Sequence, residues 1–310
     1  MILLQLLMVK LSFSCIVEVN IYAKGMLMRR IVLTTESGAD LPQDLVEKYG
    51  IHVVPMHVVM DGKDYLDGTL SVAEVFAYHE KTKKTPSTAA TNVHEYQELF
   101  KGIREADPDC IIVHVGYTSK ASASFQSAVI ASEDFEDLYL IDTLNVTGGL
   151  GAVVIYAAQL LEANPEIGHE ELIRKVEAIV PKARLAFVPG SLDFLRAGGR
   201  VSNMAYIGGA LLKIKPCIEL KEGKLVSTRK YRGPISTVAE KLFQDYLTEY
   251  DVSREQLYLI YSLGLSEAIK QRIEQMAKDA GFMNVRWLEA GAMISTHAGP
   301  GGFGIAGIEN

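Results

Sequence analysis

The chain alternates short apolar, β-branched runs with longer segments of helical period. Ile31-Val32-Leu33-Thr34-Thr35 reads as a buried strand that ends in a polar turn, Glu36 to Asp40. Asp40 is placed to start a helix, with Pro42 in its first turn and an end at Tyr49. Ile51 to Met56 reads as a second strand and Cys110 to Val115 as a third. The third leads into the small polar loop Gly116-Tyr117-Thr118-Ser119-Lys120 and a helix rich in Ala and Ser; Leu138 to Asp142 is another strand. Thr85 to Asn92 reads as a loop of hydroxyl residues before a helix that begins near Val93. Strand, loop, helix, strand is the signature of a parallel α/β domain, because parallel neighbours need a long crossover.

After the helical stretches Gly148 to Ala163 and Glu170 to Val180 the texture changes. Ile214 to Leu220 and Lys224 to Lys230 flank Lys221-Glu222-Gly223, which reads as a β-hairpin with Gly223 in its turn. Helix Ile235 to Tyr250, strand Gln256 to Ser262, helix Ser266 to Ala280, strand Asn284 to Leu288 and a last strand Phe303 to Ile308 complete a second α/β unit. The expected fold class is therefore α/β with two α/β domains, residues 29–180 and 181–310, divided near Pro181. At 310 residues the chain exceeds the usual size of a single core, which agrees. Residues 1–28 stand apart. Their apolar run, Met1 to Val9, is too short to span a bilayer and lacks the positive charge that precedes a signal-peptide core. They are expected to be an upstream extension outside the fold, with Met26 or Met28 opening the domain; a signal peptide is the alternative.

Composition narrows the function classes. A 48% apolar and 22% charged chain is ordinary globular protein. A net charge of -7 argues against a nucleic-acid partner, whose binding needs a basic surface. Cys15, Cys110 and Cys217 are too few and too scattered for a disulfide framework or a zinc site, and fit a reducing cytoplasm. No pair of histidines has helix-face metal spacing.

Two segments carry candidate chemistry. In Phe194-Leu195-Arg196-Ala197-Gly198-Gly199-Arg200-Val201-Ser202, arginines that suit carboxylate or phosphate flank a glycine pair that lets backbone come close. In His297-Ala298-Gly299-Pro300-Gly301 a histidine opens a glycine-proline turn, and reads as a loop residue whose functional and structural roles are both open. The hydroxyls around Thr88, and Thr118-Ser119, precede helices; helix caps and an anion site are equally open readings. Gly299 to Gly304 satisfies G-x-G-x-x-G formally, but the strand that follows makes it a glycine-rich connection rather than a dinucleotide loop. The chain has no phosphate-binding G-x-x-x-x-G-K-[ST] loop and no G-x-S-x-G nucleophile elbow. Such parts suit a protein that holds an acidic ligand while another component does the chemistry.

From about Arg29 to Asn310 the chain resembles the DegV family, whose members include the fatty-acid-binding subunit of bacterial fatty acid kinase. The resemblance rests on Thr34-Thr35-Glu36-Ser37-Gly38-Ala39-Asp40-Leu41-Pro42, on the two segments above, and on Ile214-Lys215-Pro216. It implies a long-chain fatty acid in a tunnel between two α/β domains, with no other cofactor and no catalytic residue in this chain. Hydroxyls would hold the carboxylate: Thr88 and Ser119 match the family's positions, with Thr118 alongside. Arg196, Arg200 and His297 would surround the tunnel mouth. A separate ATP-dependent kinase would phosphorylate the bound carboxylate to an acyl phosphate. Neither stable membrane insertion nor nucleic acid enters this picture. Glu36 stands where the family has aspartate, and the loops at 88–92 and 118–124 keep their leading hydroxyls but not their inner residues. The rival reading is a stand-alone phosphotransferase or hydrolase acting on an acyl ligand.

Overall fold

The computed structural model describes residues 29–203 and 214–310. The expectation for residues 1–28 lies outside the described residues. In chain order the first seven strands are β1 (Ile31–Glu36), β2 (His52–Val54), β3 (His57–Met60), β4 (Lys63–Leu66), β5 (Ser87–Ala89), β6 (Ile111–Gly116) and β7 (Leu138–Asp142). The remaining six are β8 (Ala183–Val188), β9 (Ile214–Lys221), β10 (Lys224–Arg232), β11 (Gln256–Tyr261), β12 (Asn284–Glu289) and β13 (Phe303–Ile308). Among the described residues they form three sheets, ordered β2-β1-β6-β7, β10-β9-β8-β13-β11-β12 and β4-β3-β5. The α/β class holds, and the first sheet is wholly parallel, as its near-continuous apolar strands require. The six-stranded sheet is mixed: β11 and β12 run parallel, while β13 lies antiparallel between β8 and β11.

Several local expectations are corrected. The run Ile51 to Met56 holds one strand, β2, which ends at Val54, and an unexpected strand, β3, begins just after it at His57. β2 joins the parallel sheet and β3 the small antiparallel one; Pro55, which has no N–H to give a ladder, sits at the break. The hydroxyl segment before Val93 is not all loop, since Ser87–Ala89 adds to β3 as an edge strand. Asp40 does not start a helix. It closes a short 3-10 turn in the left-handed region, φ 52°, and the helix Gln43–Tyr49 begins beyond it with Pro42 just outside. Helices Val72–Thr82, Leu192–Gly198 and Ala292–Ala298, and strand β8, were not legible in the pattern.

The helix Thr147–Ala163 organises the molecule. Eleven of its seventeen residues are buried, so it is apolar almost all round, as a helix enclosed by protein must be. One hydrophobic cluster passes from Leu33 and Val113 of the parallel sheet through Leu150 and Val153 to Leu185 and Ile260 of the mixed sheet. The loops at the carboxyl ends of β1, β6 and β7, the position where open α/β sheets place ligands, touch the second half of the chain directly: Asp40 accepts from the Gly291 N–H, Thr118 donates to the Gly223 carbonyl and Asn145 to the Ala183 carbonyl. The β9–β10 hairpin turns at Glu222 (φ 50°) and Gly223 (φ 78°), the two positive angles a two-residue primed turn needs. Among the described residues no helix is long and apolar enough to cross a membrane.

Candidate functional site

A cavity of about 590 Å³ opens between the six-stranded sheet and the loops, edge strand and short helix that face it. Its apolar wall is one face of the six-stranded sheet: Leu185 and Phe187 of β8 and Ile260 of β11. Val146, Leu195, Val201 and Met293 extend that wall. Thr88, Ser119, Ser122, Arg200 and His297 bring the polar atoms. Residues from both halves of the chain line it, so neither half holds the cavity alone.

The polar end is assembled from distant segments. The Thr88 hydroxyl and His297 Nε2 lie 2.9 Å apart across 209 residues of sequence. Thr88 is held by its pairing with Val58 on β3. His297 occupies the last turn of the helix Ala292–Ala298, which corrects its expected place in a loop. Gly198 makes room for it: a Cβ there would stand 2.2 Å from His297 Nδ1. The two segments singled out in the sequence thus meet at one contact, the glycine of one receiving the histidine of the other. Burial, and then the charge of Arg200, push the His297 pKa down to about 4, so the ring is neutral at neutral pH. Arg200 donates to the Gly198 carbonyl at 2.6 Å, which holds its guanidinium at the cavity edge.

Ser119 reaches the cavity from the loop after β6. Its N–H donates to the Asp142 carboxylate, at 3.3 and 3.4 Å, and Leu144 donates to the same group at 3.0 Å. Two residues back along that loop the Tyr117 N–H donates to Glu36 Oε2 at 2.9 Å, while the Tyr96 hydroxyl donates to Oε1 at 2.7 Å. Burial works to raise the Glu36 pKa, but the facing His114 ring (Nε2 to Oε1, 3.4 Å) and these hydrogen bonds outweigh it, leaving the carboxyl below its ordinary value. Glu36, conspicuous in the sequence for replacing an aspartate, is thus a buried anchor for the loop that presents Ser119.

Two predicted site residues do not reach the cavity. The Thr118 hydroxyl points the other way and donates to the Gly223 carbonyl at the hairpin tip, 2.9 Å away. Arg196 is exposed and lies outside the cavity lining, because the helix Leu192–Gly198 turns it from the face that carries Leu195. The Gly299-Pro300-Gly301-Gly302 turn is a connection into β13, as read from sequence. Ser262 Oγ donates to the Gly299 carbonyl at 2.5 Å and accepts from the Gly302 N–H at 2.7 Å. Sequence reasoning missed Phe187 and Met293. Phe187 lies on a six-residue strand broken by Arg184, and Met293 lies on a seven-residue helix, both too short for a clear period.

An α/β protein with an apolar cavity and hydroxyl, imidazole and guanidinium groups on its lining has the make-up of a small-molecule site. The chain belongs to the DegV family: that family's model, described as one of uncharacterised proteins, matches residues 30–310. A DegV domain-containing protein of Caldanaerobacter subterraneus subsp. tengcongensis is 31% identical over 282 residues, 90% of this chain and 98% of that one. A fatty acid-binding protein of Thermotoga maritima is 29% identical over 293 residues, 90% of this chain and 99% of its own length. Among solved structures, a DegV family protein from Thermus thermophilus, described for its fatty acid binding, superposes with a TM-score of 0.81 at 26% identity. That match covers 91% of this chain and all of the other.

Proposed function

We propose that this chain binds a long-chain fatty acid in its apolar cavity and presents the carboxylate to a separate ATP-dependent kinase, which converts it to an acyl phosphate. The observation that carries the reading is the apolar cavity whose lining includes the Thr88–His297 pair beside Arg200. Fatty acid binding by the relatives from Thermotoga maritima and Thermus thermophilus supports it.

The energetics are adequate. About fifteen methylenes leaving water contribute roughly 12 kcal/mol at about 0.8 kcal/mol each. Lost translational freedom and ordering take back several kcal/mol or more, and the surplus still holds a ligand without a covalent bond. The headgroup must keep its hydrogen bonds, since an unpaired buried polar group costs about 1–3 kcal/mol. Thr88 and Ser119 hydroxyls donate to the carboxylate, and neutral His297 donates or accepts according to its tautomer. Arg200 supplies the charge that favours an anion, and favours the extra charge of an acyl phosphate more. The domains, residues 29–180 and 181–310, close on the chain and shield the anhydride from water. The sequence holds no phosphate-binding loop, which is why the phosphoryl transfer is assigned to a partner kinase, and the working compartment to the cytoplasm.

The test is mass spectrometry of an organic extract of the purified protein, then binding by a Thr88→Ala/Ser119→Ala double variant. A co-purifying long-chain acid, and at least a tenfold weaker affinity in the double variant, are expected from the loss of two hydrogen bonds to a charged group. Unaltered affinity would remove the headgroup assignment. Hydrolysis of an acyl ester or acyl phosphate by the protein alone, abolished in Thr88→Ala, would instead favour a hydrolase built on the hydroxyl–imidazole pair.

A further inference from the structure

The helix that delivers His297 is too short to hold itself. Ala292–Ala298 makes fewer than two turns, a length at which an isolated helix does not persist in water. It also carries Met293 and Ile294 onto the cavity wall. Its first N–H groups have no partners within the helix and must find them elsewhere.

Two buried carboxyls, each 7% exposed, meet those groups. Asp40 Oδ1 accepts from the Gly291 N–H at 2.8 Å, and Asp67 Oδ1 accepts from the Met293 N–H at 3.1 Å. Asp40 Oδ2 accepts from the Thr147 hydroxyl at 2.5 Å, which ties the same carboxyl to the start of the central helix. Asp67 is pinned in turn by its own N–H, which donates to the Met56 carbonyl at 2.8 Å. The amino end of the helix is thus fastened to the turn after β1, the first residue of Thr147–Ala163 and the segment after β4. Each attachment comes from a different part of the chain.

We propose that Asp40 and Asp67 are positioning residues, a two-carboxyl clamp that sets where His297 meets Thr88 and so how tightly the headgroup of an acidic ligand is held. The inference rests on the headgroup reading given above. The clamp touches neither ligand nor cavity mouth. It acts through the helix, which is short enough to move as one body, so a slide at Gly291 reappears at His297. The charge of Asp67 at this end is also favoured by the positive pole of the helix dipole. Burial drives the Asp40 pKa up to about 8, against the pull of its hydrogen bonds from Thr147 and Gly291, and the charges of Asp67 and Glu289 add to the rise. At neutral pH Asp40 therefore keeps its proton, and asparagine is its closest mimic.

The experiment measures, for each variant, the affinity for a long-chain saturated acid and for the primary alcohol of equal length. Their ratio reports headgroup recognition, whereas loss of fold weakens both ligands alike. Asp40→Ala and Asp67→Ala are each expected to lower the acid-over-alcohol ratio about tenfold, the scale of one charged hydrogen bond. Asp40→Asn keeps a carbonyl for the Gly291 N–H and is expected to restore the ratio to within about threefold of the parent. If an alanine variant fails to fold, Asp40→Ser and Asp67→Ser, which leave a hydroxyl too short to reach the helix, are read in the same way. A ratio unchanged in the Asp40 and Asp67 variants but lowered in His297→Gln overturns the clamp and leaves the headgroup reading standing. A ratio unchanged in His297→Gln and Thr88→Ala as well overturns the headgroup reading, and the clamp with it.

Discussion

The two faces of the cavity are built in opposite ways. The apolar wall is one face of the six-stranded sheet, where alternation sets Leu185 and Phe187 of β8 beside Ile260 of β11, with Gly304 of β13 between them. The polar atoms come from an edge strand, two loops and the end of a seven-residue helix, each fastened by its own hydrogen bonds. The wall is therefore tolerant: a substitution there changes volume and stability in proportion to the atoms removed. The polar end is exacting, because it depends on a few contacts between segments that share no ladder. On the proposed function, affinity for an acyl chain and selection of its headgroup are therefore expected to be separable.

The strongest test of that separation is in the wall. Leu185→Ala removes a cavity-lining side chain that is 3% exposed and is expected to cost about 3 kcal/mol in a denaturant titration, from lost burial plus the enlarged cavity. The preference for a long-chain acid over its alcohol should stay the same. A changed preference at unchanged stability would mean that the wall and the headgroup end are one unit. Gly198→Ala probes the opposite side. Its Cβ would stand 2.2 Å from His297 Nδ1, so the ring must move. A stability loss of about 1–2 kcal/mol and a several-fold fall in acid preference are expected. An unaffected preference would show that His297 can relocate without consequence.

The smallest expected effect concerns charge. The His297 pKa lies near 4, against an ordinary 6.5, so its protonation favours the unfolded chain. Stability contributed by the neutral ring is whole above pH 6.5 and is lost as pH falls through 4. Arg200→Gln removes one cause of the depression, so the His297 proton resonances should titrate at higher pH and the acid-side loss should be shallower by less than about 1 kcal/mol. An unmoved titration would place Arg200 too far away to act on the ring.

The legible parts of the site were those whose chemistry is carried by residue type. Hydroxyls at 88 and 119, an arginine at 200 and a histidine at 297 marked an anion site, and all four line the cavity. Thr118 and Arg196 have the same chemistry and sit within four positions of a lining residue, yet neither lines it. Direction decides this, and direction comes from contacts across the fold: Thr118 is claimed by Gly223, 105 residues away. Asp40 shows the same limit. Its sequence context suits a helix start, whereas the structure uses its carboxyl to hold Gly291 from 251 residues away.

By itself the sequence determined the α/β class, the parallel strands of the first sheet, the hairpin turn at Gly223 and the residue types of the proposed site. These follow from local periods, turn angles and side-chain chemistry, which act over a few residues. Only the tertiary structure decided that β3 joins a separate antiparallel sheet, that β13 runs antiparallel between β8 and β11, and that a glycine at 198 receives the ring at 297. Those outcomes depend on which apolar faces bury each other and where unpaired N–H groups find acceptors. Such long-range solutions belong to no single segment of the chain.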